Sequence, residues 1–148
     1  MAITNDKGFK LALAELSIAQ QRQLAARFVE AVFPLSGDAR IKAALDAAGR
    51  AGITDAELAP AAQAANSARV ESFTQCGKEA DWTAQAGHFV AKAALACVKP
   101  AETGGNLAWD AAMQARLART FQTVAEGAGT DNREAEAQYH TLEAFLNS

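Results

Sequence analysis

The stretch DWTAQAGHFVAKAALAC, Asp81 to Cys97, decides how this chain folds. It holds no proline, and Thr83 and Val90 are its only β-branched residues. Its bulkier or apolar positions Trp82, Ala86, Phe89, Ala93 and Ala96 recur at alternating steps of four and three, the spacing of one face of an α-helix. Asp81, Gln85, His88 and Lys92 follow the same steps on a neighbouring stripe. Alanine has the highest helix propensity of any residue, so the stretch predicts a helix from about Asp81 onward, with a polar stripe beside an apolar one.

Outward from this segment the pattern repeats. Alanine makes up about a quarter of the 148 residues, prolines number only three, and half of the chain is hydrophobic against 21% charged. That composition excludes a disordered or collagen-like chain. It predicts an all-α protein, a compact single-domain bundle of about six or seven helices over residues 1–148. A chain of this length buries roughly 70% of the surface that its unfolded form exposes, so neither a disulfide nor a metal is needed to hold it together.

The punctuation is helical throughout. Thr4 is expected to cap a first helix carrying Phe9, Leu13 and Leu16 inward, and Ser17 with Gln20 forms a capping box that opens a second, ending near Phe33 and Pro34. A third, short helix sets Ile41, Leu45 and Ala48 inward, and Gly52 suits a left-handed turn after it. Thr54 and Glu57 form a second capping box, opening an alanine-rich helix that runs through Leu58, Ala62, Ala65, Ala68 or Arg69, and Phe73. Pro60 falls in its second turn and is expected to kink or restart it, and Gly77 to mark the next corner. Asn106 caps a sixth helix with Trp109, Met113, Leu117, Phe121 and Val124 inward. Asp131 or Asn132 caps the last, with Tyr139, Leu142 and Leu146 inward.

Charge and motifs exclude several functions. A formal net charge of −3 has the wrong sign for a protein that must displace counterions from a phosphate backbone, so nucleic acid is not expected as a partner. No apolar run approaches the roughly 20 residues of a membrane span, and the opening MAITNDKGFK lacks the basic-then-apolar order of a signal peptide; a cytoplasmic protein is expected. Cys76, Cys97, His88 and His140 are the whole supply of cysteine and histidine, at spacings that match no zinc ligand pair, so no metal or other cofactor is expected. Cys97 lies toward the apolar side of its helix, where a free thiol behaves as a small hydrophobe, and no residue is assigned a catalytic role. The acidic residues Glu134, Glu136 and Glu143 of the last helix could steer a basic protein partner.

Four segments carry a resemblance. RFVEAVFPL (Arg27–Leu35), DARIKAAL (Asp38–Leu45), AANSAR (Ala64–Arg69) and HFVAKAA (His88–Ala94), over roughly residues 25–100, are similar to the alanine-rich, all-helical immunity proteins of bacterial polymorphic toxin systems. The resemblance implies a protein that binds and neutralises a cognate toxin without catalysis, through charge complementarity and a few anchors. Arg40, Arg69, Asp81 and His88 are the candidate anchors it suggests, with Gln85 and Lys92 from the same stripe. Two other readings stand beside it. In the first, Trp82, Phe89 and Trp109 line a small-ligand or enzymatic pocket in which His88 and Asp81 supply polar chemistry. In the second, alanine faces pair two chains as a homodimer.

Overall fold

Alanine-rich segments with side chains able to cap them give helices wherever the cap and the apolar spacing coincide. The computed structural model describes residues 2–76, 81–102 and 104–148, with the side chains at 75 and 76 excepted. Among these residues the elements are α1 (Asp6–Ala14), α2 (Ile18–Glu30), a 3-10 turn (Phe33–Leu35), α3 (Ala39–Ala48), α4 (Asp55–Cys76), α5 (Trp82–Val98), α6 (Leu107–Ala125) and α7 (Glu134–Leu146), with no strand.

Both capping boxes form. Ser17 Oγ accepts from the Gln20 amide at 3.2 Å while Gln20 Oε1 accepts from the Ser17 amide at 3.1 Å. Thr54 and Glu57 make the same exchange at 3.2 and 3.1 Å. Asp38, Asp81 and Asn106 cap α3, α5 and α6 through their side-chain oxygens. The cap of α1 is Asn5 rather than Thr4, because only a side chain three residues before Gly8 reaches its amide, here at 2.9 Å. The cap position of α7 is Arg133, not Asp131 or Asn132, and its side chain makes no capping bond; Asn132, one residue before it, accepts from the Glu134 amide through Oδ1 at 3.1 Å.

Helix α2 stops at Glu30, earlier than the Phe33-Pro34 corner, and those two residues enter the 3-10 turn instead. Helix α4 runs through Pro60 without a break. The one backbone bond that Pro60 forfeits would go to the carbonyl of Ala56, which is exposed and can be hydrated. Gly77 lies outside the described residues. Gly52 does adopt the left-handed conformation, φ +75°, in the turn between α3 and α4.

Helix α5 is central, packing on α2, α3, α4 and α6, and from Val90 to Val98 it is buried almost all round. Among the described residues its contact with α6 is the most extensive, while α7 packs on α2 and α6 and α1 on α6. The largest fully buried side chains, Phe9, Phe28, Leu13, Leu24, Ile41 and Leu142, come from α1, α2, α3 and α7. Alanine fills most of the rest. No helix among the described residues is long and apolar enough to cross a membrane.

Candidate functional site

The site follows from which side of α6 is buried. Its inward face consists of Leu107, Ala108, Ala111, Ala112, Ala115 and Ala118, not of the larger residues at 109, 113, 117, 121 and 124. Alanine ends at Cβ, so helices meeting through it approach closely, and a longer side chain is left to pack at the edges of the contact. Met113, Phe121 and Val124 are accordingly half-buried, and Leu117 is 40% exposed.

At the outer edge of the α5–α6 contact these displaced side chains meet others. The rings of Phe89 and Phe121 stack with centroids 5.0 Å apart and an interplanar angle of 8°, and Trp82 stacks on Phe121 at 5.6 Å and 17°. His88 meets Phe89 edge-on at 5.6 Å, and Phe73 of α4 tilts against His88 at 5.7 Å. A continuous row of five rings therefore crosses α4, α5 and α6. Its two ends are open to solvent, Phe73 at 68% exposed and Trp82 at 40%, while Phe89 and Phe121 are half-buried and His88 is buried. Phe121, placed inward by periodicity, and Phe73 are members of this surface. The run of alanines at 108, 111, 112, 115 and 118 is the signal that could have shown it, because it marks a continuous small-residue face on the other side of α6.

The polar stripe of α5 divides. Asp81 is exposed and its Oδ1 accepts from the Ala84 amide at 3.0 Å, the work of a helix cap. His88 is 8% exposed and turns toward α4, where its Nδ1 lies 2.9 Å from Ser72 Oγ. Asp81 and His88 therefore serve separate bonds and form no polar pair. The Ser72 hydroxyl already donates to the Arg69 carbonyl at 2.9 Å. Nδ1 must then carry the proton and donate to Oγ, an arrangement in which the imidazole does not act as a base toward Ser72. Burial, reinforced by the Lys92 and Arg69 cations against the opposing pull of the Arg69 carbonyl, holds the His88 pKa below its ordinary 6.5. The ring is neutral at physiological pH. Gln85 is half-buried, and the Lys92 ammonium lies over the Phe89 ring, 5.0 Å from its centre.

Arg40 and Arg69 occupy two different clefts. Arg40 donates to both oxygens of Asp38 at 3.1 and 2.8 Å and meets Glu71 at 3.0 Å; its pKa is raised by the Asp38 bonds first and by Glu71 after them. Its charge is thus spent on two carboxylates. The cleft beside it, about 290 Å³, lies between the 3-10 turn, the start of α3, α4 and α5. Gly87 of α5 faces that turn, where a Cβ would stand in van der Waals contact with the Leu35 carbonyl oxygen at 3.4 Å. The second cleft, about 390 Å³, gathers Arg69, Lys92 and Lys99 from α4, α5 and the residue after α5, with Asp110, Met113 and Gln114 from α6. Lys99 meets Asp110 at 3.5 Å. Among the described residues neither Arg69 nor Lys92 has a carboxylate within ion-pairing distance, and Arg69 Nε donates instead to Asn66 Oδ1 at 3.0 Å.

The remaining candidates are used for structure. Trp109 lies twelve residues, about 18 Å of helix, from Phe121, and packs on Phe9 with Lys10 above its ring, so it shares no pocket with Trp82 and Phe89. Cys97 is fully buried, its thiol donates to the Ala93 carbonyl, and burial pushes its pKa up, which leaves no thiolate to act as a nucleophile. Cys76 has its side chain outside the described residues. The acidic face expected of α7 is largely consumed: Glu134 is buried against Arg119 at 2.9 Å, and Glu143 accepts from the Ile3 amide at 2.7 Å. Only Glu136 of the three stays fully in solvent. Within α7, Leu142 is buried as expected, but Leu146 is exposed and Phe145 packs in its place. Among the described residues no group of three His, Cys, Asp or Glu side chains could hold a metal ion. Comparison of the chain with protein families, with curated proteins and with solved structures finds no match.

Proposed function

We propose that the chain is a non-catalytic protein-binding module of the cytoplasm, and that the partner it binds and neutralises is a toxin, as its resemblance to immunity proteins implies. The observation that carries the binding reading is the row of rings that opens to solvent at both ends, through Phe73 and Trp82, and is backed by the half-buried Phe89 and Phe121 and the buried His88. Contiguous apolar surface of this kind marks interaction sites, and exposed aromatic residues are enriched among the anchors that dominate binding energy. The polar groups nearby support binding over chemistry: His88 is neutral and engaged with Ser72, and Asp81 is a cap. The rings at the two ends of the row sit on helices, Phe73 in the last turn of α4 and Trp82 at the first position of α5, so a partner would meet side chains already held by secondary structure.

The test uses wild-type protein and a Phe73→Ser/Trp82→Ser variant as parallel baits in a lysate of the encoding organism. The expected result is one stoichiometric protein retained by the wild type and lost by the variant. Losing two such anchors should weaken binding by roughly 30-fold or more. The gene for that protein should arrest growth when expressed alone and not when expressed with this chain. Equal retention by both baits, or retention of nothing but the chain itself, would overturn the reading.

A further inference from the structure

We infer that the cleft bounded by Arg69, Lys92 and Lys99 receives an acidic, amphipathic segment of the protein partner. The inference rests on the binding reading above and adds the chemistry of what is bound. The chain is acidic overall, yet here three cations converge with one carboxylate, Asp110. Like charges gathered around one cleft repel each other, and a partner carboxylate relieves that repulsion as well as gaining attraction. Arg69 and Lys92 are the two whose charge is not met by a carboxylate among the described residues.

The cleft is not only charged. Leu95, Ala96 and Met113 line it, so its occupant needs apolar groups as well as anionic ones. Lys92 joins the cleft to the aromatic row, since its ammonium rests over the Phe89 ring. Leu117, exposed between Met113 and Phe121 on α6, continues the apolar strip between the two. A peptide segment could lay apolar side chains along Met113, Leu117 and Phe121 and set its carboxylates on Arg69, Lys92 and Lys99. A nucleic acid needs many phosphate contacts on a basic surface, which an acidic chain with three clustered cations does not offer. A second copy of this chain is poorly suited too, because Glu134 and Glu143 of its most acidic helix are already engaged.

The experiment titrates the full chain with a synthetic peptide alternating glutamate with leucine, read by the backbone amide shifts of Leu95, Ala96, Met113 and Gln114. Saturable shifts at these four amides are expected in the wild type. An Arg69→Glu/Lys92→Glu variant should bind at least tenfold more weakly while its thermal unfolding curve stays within a few degrees, and added salt should weaken the wild-type complex. A lysine–leucine peptide should leave the amides unmoved. Equal binding by the charge-reversed variant, equal binding of the lysine peptide, tighter binding of a single-stranded oligonucleotide at the same amides, or shifts that depend on protein concentration without peptide would each overturn the inference. The two proposals separate cleanly with the lysate baits. If the charge-reversed bait keeps the partner that Phe73→Ser/Trp82→Ser loses, the cleft proposal fails and the binding module stands; if the peptide saturates the cleft but wild type retains no partner, the functional reading fails.

Discussion

Arg22 of α2 reaches the end of α5 and donates to the Cys97 carbonyl at 2.9 Å, and the same nitrogen donates to the Lys99 carbonyl at 2.9 Å. The last carbonyls of a helix have no partner within it, and the end of its dipole is negative. A buried guanidinium, 4% exposed, supplies both the donor and the charge. Asp55 adds a distant favourable charge. The central helix of the bundle thus ends where Lys99 turns extended before Pro100, and a side chain from another helix satisfies the carbonyls left there.

Replacing Arg22 should therefore cost more than an ordinary surface arginine. Arg22→Met keeps much of the volume but leaves two carbonyls without their donor, and a loss of roughly 2–4 kcal/mol is expected. That corresponds to a fall in Tm of about 5–15 °C for a chain of this size. Thermal unfolding followed by circular dichroism reads it directly; an unchanged Tm would show that water satisfies the end of α5 equally well.

A second network, partly exposed, ties α1 and α7 to α6. Arg116 donates to Asp6 at 2.8 and 3.0 Å and to Gln138 at 2.8 Å, and its guanidinium lies 5.5 Å from the centre of the Phe9 ring and 5.8 Å from that of Tyr139. Asp6 is about half exposed, so the ion pair alone is worth at most about 1 kcal/mol. Arg116→Ala also removes the packing over the rings and orphans the Gln138 oxygen, for a total near 2–3 kcal/mol. Tyr139→Phe, which loses only the 2.7 Å bond to Asp6, should cost under about 1 kcal/mol. Denaturant midpoints of the two variants check the ordering.

Stability should also fall on mild acidification through His88. Its folded pKa lies below 6.5, burial being the main cause, so between those values the unfolded chain binds the proton and the folded chain resists it. The stabilisation is fully present above pH 6.5 and is lost as pH falls through the folded value. Asp6 and Asp38 are depressed by their arginine partners, and their contribution declines only below their ordinary 3.8. Tm measured from pH 7 to 5 should therefore decline in the wild type and run flatter in His88→Asn, which has no proton to gain; parallel curves would place the acid sensitivity elsewhere.

Local chemistry was legible in the sequence and tertiary choice was not. Ser17 with Gln20, Thr54 with Glu57, and the caps at Asp81 and Asn106 involve side chains within three residues of the amides they bind, so their spacing is sufficient. The partners of Glu134 and Glu143 lie on α6 and near the first residues, where no spacing rule reaches. Asp81 and His88 share a side of α5 by angle, yet what His88 meets is set by Ser72 of α4. Alanine-rich helices add a particular ambiguity. Hydropathy periodicity points to the side with the largest apolar groups, whereas close packing selects the side with the smallest, and on α6 these are opposite sides.

That opposition gives an ordering that ordinary hydropathy reverses. Ala115 is fully buried on the side of α6 that meets α5 and α2, and Leu117, two residues on, is 40% exposed. Ala115→Leu inserts three carbons where the helices have no room and should destabilise by about 1–3 kcal/mol despite adding apolar surface. Leu117→Ala removes a half-solvated side chain and gains slightly in helix propensity, so its cost should stay under about 1 kcal/mol. Denaturant titration with an unchanged m-value in both variants would make the comparison one of native stability alone. If Leu117→Ala proved the costlier change, the large apolar stripe would be the core face of α6, and the aromatic row built from its displaced side chains would lose its claim to be a binding surface.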